Sequence, residues 1–155
     1  MSFDPNAFMQ SAADPMPTQM NVCPEGEYPF MIDSDPKSVA VKNIKGVGKE
    51  SGKPYDFYQM EITCLLADEA VKAKLNRAKV TVRFRVNLDI DGGGKLEQGE
   101  GRNVGLGRLR AALGQNTPGW KPQDLLGAGP FIGKVEHTTV KDATYADIVR
   151  VGKVS

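Results

Sequence analysis

The sequence predicts a mainly β protein: a five-stranded Greek-key barrel of the OB type, with one helix between its third and fourth strands. Three observations predict it. Five runs alternate apolar and polar residues with the period of two that a strand requires. One segment, NVGLGRLRAALG at 103–114, instead spaces Leu106, Leu109 and Leu113 at helical intervals. Turns rich in glycine, proline and aspartate separate these segments, so the order reads strand, strand, strand, helix, strand, strand. The same order also suits a different small barrel or an α+β sheet, which periodicity does not separate.

Residues 1–22 mix Met, Pro, Ala and Asp without sustained periodicity, and read as a flexible arm with one helical turn near Ala7 to Ala12. Phe3, Phe8 and Met9 give that arm apolar groups to set against a partner or a neighbouring copy. Residues 23–155 form the domain. Tyr28, Phe30 and Ile32 alternate with Glu27, Pro29 and Met31 in the first strand, where Pro29 implies an edge or a bulge. The chain turns at Asp35-Pro36, and Val39 and Val41 prolong the strand. KNIKGVGKESGKP, with Gly46, Gly48 and Gly52 among lysines 42, 45, 49 and 53, reads as a flexible basic loop.

YDFYQMEITCLL at 55–66 is the second strand, with Tyr58, Met60, Ile62, Cys64 and Leu66 on its core parity. A short helix over 67–77 turns Val71 and Leu75 inward. The third strand, VTVRFRVNLDI at 80–90, puts Val80, Val82, Phe84, Val86, Leu88 and Ile90 on one face. DGGGKLEQGEG makes a long turn before the 103–114 helix, which Gly114 closes. KPQDLLG gives a single helical turn starting at Pro122. GPFIGKVEH at 129–137 and TYADIVRVGKV at 144–154 are the fourth and fifth strands, joined as a hairpin.

The totals exclude several classes of function. With 155 residues and a net charge of +1, any anion-binding role needs charge gathered on one side. Cys23 and Cys64 are too few for a disulfide framework, and Cys64 falls on a core parity as a buried reduced thiol. No apolar run approaches the roughly 18 residues of a membrane span, and no basic start leads into an apolar stretch. The expected compartment is the cytoplasm. His137 has no Ser or Cys nucleophile at a suggestive spacing, and no Cys/His cluster points to zinc. No catalytic residue, metal ligand or cofactor site is therefore expected, and the chain does not read as an enzyme.

The polar parity of the second and third strands carries the functional signal. Paired as a hairpin, Tyr55, Phe57 and Gln59 share a surface with Arg83, Arg85 and Asn87. Aromatic rings accept stacked bases, and guanidinium groups hold phosphates or stack in turn. Lys49 and Lys53, with Lys45, extend this surface at its rim, and Arg102, Arg108 and Arg110 add charge around the helix. A second account fits the same residues: Arg83 and Arg85 pair with Glu61 and merely solvate an open sheet.

Two glycine-rich stretches fail closer matches. GVGKESGKP has Val47 where a P-loop needs its first Gly, and Pro54 where it needs Ser or Thr. In 89–100, Asp89, Asp91, Gly94, Leu96 and Glu100 match calcium-loop positions, but Gly93 brings no ligand oxygen and a strand leads in. Trp120, in QNTPGWKP, reads as a cap on the core or as a further stacking platform.

PEGEY, KESGKPYDFYQMEIT, VRFRVNL, GRLRAALG and the PFIGKVEH…YADIVRV hairpin together resemble phage-encoded single-stranded DNA-binding proteins of the OB-fold kind, over residues 24–154. The resemblance implies a replication or recombination accessory that coats single strands without sequence preference, in the host cytoplasm. It implies phage or host replication proteins as further partners. Its strand-binding positions fall here on Tyr55, Phe57, Arg83 and Arg85, with Lys49 and Lys53 in the loop. Asn87 and Arg108 join them from the reading of the residues. Bacterial proteins of like function end in an acidic tail that recruits partners, whereas this sequence ends IVRVGKVS. The alternative function is an OB-like protein-interaction or phage structural module that meets a protein through the same outer aromatics.

Overall fold

A computed structural model describes residues 2–16 and 21–154. Six strands form one sheet: β1 (Gly26–Ile32), β2 (Val39–Val47), β3 (Pro54–Leu66), β4 (Thr81–Leu88), β5 (Phe131–Val140) and β6 (Ala143–Gly152). Helices α1 (Pro5–Gln10), α2 (Glu69–Lys74) and α3 (Val104–Ala112) accompany them. Hydrogen-bonded neighbours run β1-β5-β6-β4-β3-β2, and β1 pairs with β3 as well. That extra pairing closes β1, β3, β4, β6 and β5 into a five-stranded ring. The ring is irregular. β4 and β6 run parallel and share only the Arg83–Asp147 and Phe84–Ile148 pairs, and the β5–β6 register shifts between Lys134 and Val135.

The sequence expectation of five strands needs one correction. The chain does turn at Asp35-Pro36, where the Asp35 carboxylate accepts the Lys37 N–H at 2.9 Å and a single 3-10 turn spans Pro36–Ser38. It does not then enter a loop. KNIKGV lies within β2, which pairs with β3 from Val39–Ile62 through to Val47–Pro54. β1 and β2 thus follow each other along the same edge of β3, β1 at Cys64–Leu66 and β2 at Pro54–Ile62. The basic loop shrinks to the tip, where Gly48 N–H donates to the Lys53 carbonyl at 2.9 Å.

Alternation fixes the faces. In β4, Val82, Phe84, Val86 and Leu88 are buried while Thr81, Arg83, Arg85 and Asn87 are exposed. Met60, Ile62, Cys64 and Leu66 of β3 meet them inside, with Phe30, Ile32, Phe131, Val135 and Ile148 completing the core. Phe30 and Phe131 face each other across β1 and β5 with stacked rings 6.0 Å apart. Full burial of each such side chain stabilises the fold by about 1.5–3 kcal/mol.

α3 occupies the expected place between β4 and β5 and buries Leu106, Leu109 and Ala112 against the inner sheet face. Gly105 allows the approach, because a Cβ there would sit 3.2 Å from Val86 Cγ1. α2 forms the core of the expected 67–77 helix, capped by Asp68, which accepts the Val71 N–H at 3.1 Å. α1 begins at Pro5 behind the Asp4 cap and buries no residue. No helix among the described residues is long and apolar enough to cross a membrane.

Candidate functional site

The β3–β4 register decides what shares a surface. Gln59 lies opposite Asn87, Glu61 opposite Arg85 and Thr63 opposite Arg83. Across the other edge of β3, Tyr55 lies opposite Gly46, Phe57 opposite Ile44, and Gln59 opposite Lys42. Directly opposed residues point to the same side of a sheet. Tyr55, Phe57, Arg83, Arg85 and Asn87 therefore all stand on the outward face, with the core residues behind them.

Their spacing along that face is uneven. β4 pairs with β3 only from Tyr58 to Leu65, so Tyr55 and Phe57 sit on a two-stranded β2–β3 ribbon that runs past the end of β4. At about 3.3 Å per residue, Phe57 lies roughly 13 Å along β3 from the position opposite Arg85 and roughly 20 Å from that opposite Arg83. The rings of Tyr55 and Phe57 are 6.0 Å apart and tilted by 39°. Tyr58, expected on the core parity, is 43% exposed because the ring no longer covers its side of the ribbon.

Glu61 organises the charged end. Its carboxylate takes Lys42 Nζ at 3.1 Å, Arg83 Nη1 at 3.3 Å and Arg85 Nε at 3.6 Å, and its side chain is only 17% exposed. Burial by itself raises its pKa, but hydrogen bonds and charge from Lys42 and Arg83 outweigh that and hold the carboxyl below its usual range. Both accounts drawn from the sequence thus meet in one cluster. The arginines do pair with Glu61, yet one carboxylate faces three cations. Each guanidinium has five donor hydrogens and keeps some free for another acceptor. Gln59 Nε2 donates to Asn87 Oδ1 at 3.1 Å beside the cluster.

The remaining sequence candidates divide. Lys49 and Lys53 lie in the turn at the ribbon tip, beyond Tyr55. Arg108 is exposed on α3, which packs on the inner side of β4, so it does not join the outward set. Instead it lines a cavity of about 830 Å³ between α3, residues 96–103 and residues 116–120. Lys42 and Ile44 join the outward face and were missed. Their signal was the alternation of Ala40, Lys42, Ile44 and Gly46, hidden among glycines and lysines that suggest a loop.

Other singled-out residues have local partners. Trp120 is half-buried, donates Nε1–H to Gln115 Oε1 at 3.0 Å, and carries the Arg110 guanidinium 4.3 Å from its ring centre. One of its faces is therefore taken. His137 Nε2 lies 2.7 Å from the Cys23 carbonyl, which can only accept, so Nε2 carries the proton of that bond. Asp91 Oδ1 accepts the N–H groups of Gly93 and Lys95, making the 91–95 stretch an aspartate-anchored turn. Both cysteines are free and buried. Burial pushes the Cys64 thiol up to about 12, and burial with the nearby Asp68 charge pushes Cys23 up to about 11.

Comparison with protein-family models, curated proteins and solved structures finds no match. What the chain does has to be argued from the outward face itself. That face joins two aromatic rings, two amides and a cluster of three cations around one carboxylate, along one continuous stretch of β3.

Proposed function

We propose that this protein binds single-stranded DNA without sequence preference, as an accessory of phage DNA replication or recombination, and that it is not an enzyme. The five-stranded ring, with its parallel β4–β6 contact and α3 packed against β4 and β6, is read here as an OB-like barrel. The observation that carries the proposal is the shared outward face of Tyr55, Phe57, Arg83 and Arg85. Unpaired bases stack on aromatic rings regardless of sequence, while phosphates settle on cations along the backbone. Its length of about 20 Å suits several nucleotides in a row. Lys49 and Lys53 at the ribbon tip would meet the strand beyond Tyr55, and Asn87 would donate between the two ends.

An anisotropy titration with a labelled oligonucleotide, at two salt concentrations and with unlabelled single-stranded and duplex competitors, tests this. Phe57→Ala should weaken binding about 5- to 150-fold, the equivalent of 1–3 kcal/mol for one stacked base. Arg83→Ala combined with Arg85→Ala should lower the salt slope by about 1.4, or 0.7 for each lost phosphate contact. Wild-type affinity in both variants would reject the face.

A second reading rests on Glu61. Its contacts to both arginines also suit an outer face that is solvated or meets a protein. Absence of strand binding by the wild type, with duplex and single strand alike, would favour that reading.

A further inference from the structure

We propose that the groove between α3 and its flanking loops seats the N-terminal arm of a second copy of this chain. α1 and the residue before its cap present an apolar knob: Phe3 and Phe8 pack ring to ring at 5.4 Å, yet remain 72% and 61% exposed, with Met9 at 80%. None of the α1 residues is buried, so α1 is not docked on its own barrel. Exposed apolar groups gathered in one patch suit a surface that meets another.

The groove complements that knob. It holds about 830 Å³, with Leu96, Val104 and Trp120 along its walls, room for a short helical turn bearing an aromatic pair. Its charges are mostly spoken for. Arg102 contacts Asp89 at 3.7 Å and Glu97 at 3.5 Å. Arg110 donates to the Thr117 carbonyl at 3.0 Å and lies over Trp120. Arg108 has no hydrogen-bond or ion-pair partner among the described residues and lines the same groove. A polyanion would call for a surplus of cations, which the β3–β4 face offers better, with three around one carboxylate. One free cation in an apolar groove fits a mildly acidic apolar segment. Residues 1–22 are such a segment, with Asp4 and Asp14 and no Lys or Arg. Reciprocal exchange of arms between two chains closes the pair and leaves neither knob exposed.

The test uses light scattering over a concentration series, together with the emission of Trp120, the chain's single tryptophan. Wild type should rise above the 16.8 kDa of one chain as concentration increases. Phe3→Ser with Phe8→Ser should stay monomeric and shift the Trp120 emission. Arg108→Glu should weaken association at least tenfold. All three positions are exposed, so the fold should survive. Mixing the two defective proteins should restore part of the two-chain species, because one intact arm then meets one intact groove, one of the two contacts of the wild-type pair. A wild type that stays monomeric would overturn the proposal, whether its Trp120 emission ignores the arm or reports docking within one chain. So would a mixture that fails to associate, or Trp120 emission that answers to single-stranded DNA and not to the arm.

Discussion

Gly46 and Tyr55 face each other across β2 and β3, and the tyrosine ring lies over the glycine so closely that a Cβ at Gly46 would overlap its hydroxyl and sit 2.6 Å from its Cζ. The obstructing atoms are the far end of a side chain that is 44% exposed and free to swing. Gly46→Ala should therefore cost less than about 1 kcal/mol of stability, since surface changes rarely cost more. It should still displace the Tyr55 ring from its place beside Phe57. If that place matters for stacking, Gly46→Ala lowers strand affinity towards the level of Tyr55→Ala. A thermal melt beside the oligonucleotide titration checks both halves. A large drop in melting temperature would make Tyr55 a structural cover for the ribbon, whereas unchanged affinity would remove it from the site.

Among the elements, the loop from β4 to α3 depends on one side chain. Asn103 holds a left-handed backbone at φ 51°, accepts the Asp89 N–H at 2.8 Å and donates to the carbonyls of Asp89 and Glu97, each at 2.9 Å. Asn103→Ala strands three backbone partners and replaces a residue that tolerates the left-handed region with one that does so less well, so a loss of about 2–4 kcal/mol is expected. Asn103→Gly should recover only the backbone share, and chemical denaturation of both variants separates the two effects. The sequence shows this segment as a turn, because glycines and acids are crowded there, but not the bonds that build it, two of which join residues fourteen apart. β4 was the most legible element: a strand inside a sheet has one face in the core, and its composition alternates without a break. β2 was the least legible. It pairs only with β3, so much of its surface stays wet, and Lys42, Lys45 and Gly46 could be spent there as they would be in a loop. The outward set of Tyr55, Phe57, Arg83 and Arg85 followed from parity alone. Its extension to Lys42 and Ile44 did not, because those residues join the face only once β2 exists.

For the molecule as a whole, a net charge of +1 gives little long-range attraction for a polyanion, so any such binding depends on how charge is grouped. Lys42, Arg83 and Arg85 around Glu61 sum to three positive charges less one, a local +2. Glu61→Gln removes the negative member and should raise strand affinity several-fold at low salt, with the gain shrinking as salt rises. The same change should destabilise the fold by about 1 kcal/mol at neutral pH, the upper end of what ion pairs at the surface contribute. Its pH dependence has a definite sign. The Glu61 carboxyl is held below its ordinary value in the folded state, so its stabilisation is fully present above the unfolded value of about 4.3 and is lost as pH falls through the folded one. Wild type and Glu61→Gln should thus differ in melting temperature at pH 7 and converge in acid. If stability falls as expected but affinity does not rise, the cations serve only to balance Glu61. The strand would then have to be sought away from the β3–β4 face.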